Sequence, residues 1–219
     1  MSKTAFVQLL DLAAGLVLVI SFAALWLRRL ATVARMIAVQ GLALAAVAAV
    51  IGIYEHESEL VGVAVLVGIL RAGVLPGLIR RAVRAGDELR EVESIINVPA
   101  SLLAASALTL VSYATTRDVV ALSPAPQVRA IPLGIAVVLI GMLMIVTRRK
   151  AVLQMMAVLM IDNGIALVMF LGTSGVPLAI ELGIASDVLL AVFILQVLTN
   201  RIRTKFGGTD LDQLRALRD

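Results

Sequence analysis

Apolar residues run in long blocks along this chain, and charged residues fall in short clusters between the blocks. A helix needs about 20 apolar residues to cross a bilayer. Blocks of that length predict seven spans, at roughly 5–27, 31–53, 59–79, 96–115, 129–147, 151–172 and 176–199. The first block is too long for a cleaved signal peptide, and its strongest charges, Arg28 and Arg29, follow it. The pattern therefore predicts an all-α integral membrane protein, one membrane domain over residues 1–219 with about seven transmembrane helices.

The clusters between the blocks predict an orientation. Seven spans put the chain ends on opposite sides. One side then carries fourteen basic residues: Arg28, Arg29, Arg80, Arg81, Arg84, Arg90, Arg148, Arg149, Lys150, Arg201, Arg203, Lys205, Arg215 and Arg218. The other carries three, Lys3, Arg117 and Arg129, together with the acidic run "EHESE". Basic loops stay cytoplasmic, so the C-terminus is expected inside and the N-terminus outside. On the cytoplasmic side, 80–95 is expected as a helix lying along the membrane surface, with Val83, Leu89 and Val92 on its apolar face. The tail, 200–219, reads as a glycine break followed by a short amphipathic helix capped by Thr209.

Composition sharpens this. The chain is 61% hydrophobic and 16% charged, with a mean hydropathy of +1.03. A soluble domain would be about 45–50% apolar and about 25% charged. There is no cysteine, and His56 is the single histidine. That rules out thiolate-held iron–sulfur clusters, bis-histidine haem and His/Cys zinc sites. No cofactor, metal or catalytic residue is expected, since no histidine or serine–histidine set lies in a span. The basic residues punctuate apolar runs and form no basic face, so no nucleic acid is expected as a partner. Membrane lipid is.

The informative residues are the charges inside the spans. Asp162 falls near the middle of the sixth span, Asp187 near the middle of the seventh and Arg71 near the middle of the third. Glu181 lies nearer the outer end of the seventh, and Asp11 in the outer half of the first. A charge at the centre of a spanning helix costs roughly 2.5–3.5 kcal/mol on insertion scales, and such residues usually mark ion or proton routes. Glu181 and Asp187 would be about 9 Å apart along a helix and about 120° apart around it. Carboxylates at different depths suit a proton relay better than a metal site. The plain alternative is ion pairing for packing alone. An arginine keeps its proton, so Arg71 reads as a counter-ion that favours the ionised form of a nearby carboxylate. Gln40, Gln154, Asn163 and Gln196 add amides of the kind that hold helices together.

The segments "DNGIALVMF", "ELGIASDVLLAV" and "GTDLDQLRALRD", in that order, with "LRAGVLP" in the first half, resemble hydrogenase-4 component E. That family comprises membrane subunits of formate-hydrogenlyase-type [NiFe]-hydrogenase complexes, related to the K-type subunit of complex I and the C-type subunit of multisubunit cation/proton antiporters. The resemblance implies proton transfer through Asp162, Glu181 and Asp187. It implies as partners antiporter-like membrane subunits and, in the same complex, [NiFe] and iron–sulfur subunits. It also implies the inner (cytoplasmic) membrane of a prokaryotic cell. Two positions depart from the family pattern: Asp162 stands where glutamate is frequent, and Arg71 where lysine is frequent. The readings open at this stage are a non-catalytic coupling subunit, a scaffold of the same complex, and a subunit of a cation/proton antiporter or other complex-I-like assembly.

Overall fold

The computed structural model describes residues 2–27, 29–74, 77, 96–173 and 189. Among them are six α-helices: α1 (Lys3–Trp26), α2 (Leu30–Glu55), α3 (Ser58–Val67), α4 (Val98–Leu122), α5 (Ile131–Thr147) and α6 (Ala151–Thr173). A π-helix, Gly68–Val74, continues α3, and a 3₁₀ turn, Pro126–Ala130, leads into α5.

Helix ends follow local chemistry. The Ser2 hydroxyl accepts the Ala5 amide at 3.2 Å and opens α1, and Asn97 does the same for α4 through Ala100 at 3.0 Å. Pro99 and Pro132 sit in first turns, where no amide hydrogen is missed. α2 stops at His56, whose φ of 60° turns the chain sharply into α3. Gly52 sits at that hairpin, where a Cβ would lie 2.9 Å from the Leu60 Cβ.

Among the described residues five helices are long and apolar enough to cross a membrane: α1, α2, α4, α5 with its 3₁₀ turn, and α6. This corrects the seven-span expectation in one place. The expected third span, 59–79, holds an apolar helix of only Leu60–Val74 among the described residues. At about 1.5 Å per residue that falls short of the roughly 30 Å hydrocarbon core. Its second half is π-helical instead of regular. α4 runs seven residues beyond its expected end at 115, because Arg117 and Asp118 lower the hydropathy without breaking the helix, and both stand exposed. The expected seventh span 176–199, the surface helix 80–95 and the tail 200–219 lie outside the described residues.

α6 packs most extensively on α5, then on α2, while α1 pairs with α2 and α4 with α5. The α5–α6 contact depends on glycine. A Cβ on Gly164 would come within 2.9 Å of the Gly134 carbonyl and 2.8 Å of Val138, and one on Gly141 within 2.6 Å of Ile161. Small residues at these points let two backbones close up, as membrane helices need when no water is there to drive them together.

Candidate functional site

The centre of the bundle is polar. Arg71 lies in the π-helix and is 2% exposed. A π-turn inserts one residue into the helical ladder and re-aims the side chains beyond it, a device common at functional sites. Gly41 on α2 makes room for it: a Cβ there would lie 2.8 Å from the Arg71 carbonyl carbon and 2.9 Å from its Cβ. The guanidinium reaches α6. Its Nη1 is 2.6 Å from Asp162 Oδ2 and donates to Asn163 Oδ1 at 2.9 Å. Asp162 and Asn163 are buried neighbours, about 100° apart on the helix, and both reach the same nitrogen.

The polar contacts continue. Asn163 Nδ2 donates to Gln40 Oε1 on α2 at 3.0 Å. Gln40 Nε2 donates to the Ser21 hydroxyl at 2.8 Å and to the Val17 carbonyl at 3.1 Å, both on α1. Ser21 donates to the same carbonyl at 3.0 Å. Five side chains thus join α1, α2, the π-helix and α6, with Ser21 and Gln40 wholly buried. Buried polar groups carry this kind of satisfaction almost without exception, because an unmet donor costs about 1–3 kcal/mol.

Of the charges expected inside the spans, Arg71 and Asp162 are brought together as a buried ion pair. Glu181 and Asp187 lie outside the described residues. Asp11 stands exposed on α1, away from this centre. Of the amides, Gln40 and Asn163 hold helices together, as lone amides are expected to, but they also touch the ion pair, which the sequence did not signal. Ser21 was missed altogether; its one clue was a hydroxyl facing the same side of α1 as Val17, four residues back. Gln154 serves elsewhere, donating to the Arg148 carbonyl at 3.1 Å.

Arg148 is a second buried cation. It reads in the sequence as one of a cytoplasmic basic trio, yet it is 3% exposed and donates through Nη2 to the Leu25 carbonyl at 2.5 Å. It closes the carbonyl end of α1, where a positive charge meets the negative pole of the helix. Burial pushes its pKa below the ordinary arginine value.

Fold and site together define a polytopic α-helical membrane protein with an ion pair at its core. The chain is 46% identical over 220 residues to a protein of Mycobacterium tuberculosis named as uncharacterized protein Rv0085, covering both in full, and it belongs to the same family. Over 80 residues it is also 34% identical to hydrogenase-4 component E of Escherichia coli and of Shigella flexneri, a match spanning 36% of this chain and 37% of theirs. No family model and no solved structure matches it.

Proposed function

We propose that this chain is a non-catalytic membrane subunit of a formate-hydrogenlyase-type hydrogenase complex, contributing intramembrane carboxylates to proton translocation and to coupling between the redox arm and antiporter-like subunits. In this reading the N-terminus lies outside and the C-terminus is cytoplasmic. Asp162, Glu181 and Asp187 are the titrating groups, and Arg71 is the fixed charge that keeps Asp162 ionised between transfers. The observation that carries the reading is the 2.6 Å Arg71–Asp162 pair, buried halfway along α6. Helix adhesion needs no ions there, since Gln40 and Asn163 bridge α2 and α6 with neutral groups. The partial similarity to hydrogenase-4 component E supports the kind of complex.

Asp162→Asn tests it, because asparagine has nearly the same volume and cannot titrate. The variant should assemble at near-normal levels and keep hydrogen production from an artificial donor in detergent. Activity that depends on a proton gradient in sealed vesicles should fall strongly. Full coupling in that variant would favour the second reading, a scaffold of the same complex, which the four-helix polar chain also supports. Company is a separate test: the chain should copurify with a nickel–iron subunit, and recovery with antiporter subunits alone would move the assignment to an antiporter. For orientation, a cysteine at Ser58 should react with an impermeant thiol reagent from outside, and one at Thr209 only after permeabilisation. The opposite pattern would overturn that orientation.

A further inference from the structure

The hydrogen bonds that lead from Arg71 through Asn163 and Gln40 run one way. Arginine can only donate, and the Val17 carbonyl at the far end can only accept. Between them, Asn163 must turn its oxygen to Arg71 and its Nδ2 to Gln40, and Gln40 must turn its Nε2 to α1. Both amide orientations are therefore forced by the ends of the chain. Amides do not readily pass protons, and the chain stops at a backbone carbonyl. It is a branch of the site, and not a stretch of proton path.

We propose that Asn163 and Gln40 are positioning residues for Asp162: they hold a neutral oxygen against the Arg71 guanidinium, so that Asp162 can gain and lose a proton while the guanidinium stays bonded. The inference rests on the reading of Asp162 as a proton carrier. Arg71 Nη1 has two hydrogens and meets two acceptors, Asp162 Oδ2 at 2.6 Å and Asn163 Oδ1 at 2.9 Å. Protonation weakens the first acceptor and leaves the second unchanged. Gln40 prevents the Asn163 amide from flipping, because a flip would set the Asn163 oxygen against the Gln40 Oε1, two acceptors with no hydrogen between them. Gln40 itself is fixed by the Ser21 hydroxyl and the Val17 carbonyl. Such networks act as units, so the members are coupled.

The test is infrared titration of the full-length chain in lipid nanodiscs. The protonated carboxyl band of Asp162 is assigned by its loss in Asp162→Asn. In Asn163→Leu the Nη1 hydrogen bond that Asn163 took is lost and Asp162 remains against the guanidinium, so its protonated-to-ionised ratio at a fixed pH should fall about tenfold. Gln40→Leu should move it the same way by a smaller factor, and the double variant should go no further than Asn163→Leu. If Asn163→Leu fails to insert, Asn163→Ala removes the same oxygen with a smaller side chain. A titrating band indifferent to the loss of Asn163 overturns the positioning role alone. Independent, additive effects overturn the claim that Gln40 acts through Asn163. Absence of any titrating Asp162 band in the wild-type chain overturns the relay beneath both.

Discussion

α4 and α6 are two apolar helices of similar length with opposite roles. Buried residues make up 17% of the apolar window of α4 and 67% of that of α6. Leu103, Leu110 and Leu122 of α4 stand exposed, while Leu167, Phe170 and Leu171 of α6 are wholly buried. Both helices carry polar residues within their apolar runs. On α4 the hydroxyls of Ser106, Thr109, Thr115 and Thr116 bond back to carbonyls one turn earlier in the same helix. On α6 Asp162 and Asn163 bond to residues 91 or more positions away in the chain, Arg71 and Gln40. A polar group that satisfies itself can face lipid. One that needs a distant partner must be buried with it, and it ties the fold together there. The cost of removing a polar group should therefore follow where its partner sits.

The largest effect is expected at Arg71. Arg71→Leu leaves Asp162 without its cation and Asn163 without its donor, and breaking one partner of a buried pair costs on the order of 3–5 kcal/mol. The yield of folded chain in membranes should collapse. Arg71→Lys keeps the charge and should recover much of it. Equal yields of the leucine variant and the wild type would break the comparison at its strongest point.

Arg148→Met comes next. It removes the 2.5 Å charged hydrogen bond to the Leu25 carbonyl while keeping an unbranched apolar stem. A hydrogen bond to a charged group contributes about 1.5–3 kcal/mol, so the thermal midpoint in detergent should drop clearly. Gly164→Ala probes packing on the same helix as Asp162. Its Cβ would press on the Val138 side chain and the Gly134 backbone, and overpacking of this kind costs about 1–3 kcal/mol. An unchanged midpoint there would mean that α5 and α6 can slide apart freely.

The sequence showed the helices more clearly than the site. Long apolar blocks placed α1, α2, α5 and α6 to within a few residues, because hydrocarbon tolerates little else over that length. It missed the end of α4, since charged residues at the end of a block lower hydropathy without stopping a helix. It also missed the π-turn, against which Gly41 of α2 packs too closely to leave room for a Cβ. Arg71 and Asp162 were legible as singular residues because a charge in an apolar run is costly anywhere. Their pairing across 91 positions was not, and neither was the Gln40 link, because neutral amides occur in spans for many reasons and only the packing shows which one they touch.

The smallest effect sharpens the comparison most, because it sits on one helix. Thr115 and Ser112 of α4 are three residues apart. Thr115 is exposed, and its hydroxyl bonds only to its own helix, to the Val111 carbonyl at 2.9 Å and the Ser112 carbonyl at 3.2 Å. Ser112 is buried, and its hydroxyl crosses to the Pro132 carbonyl on α5 at 2.5 Å. Thr115→Val keeps the shape and loses only the local bond; such surface changes usually stay within about 0.5 kcal/mol. Ser112→Ala removes a buried bond between two helices, for which about 0.5–1.5 kcal/mol is expected. Thermal midpoints of the two variants in the same detergent should therefore separate, with Thr115→Val close to wild type. Equal losses would mean that the self-satisfied hydroxyls of α4 also support the fold, and that location of the partner does not set the cost.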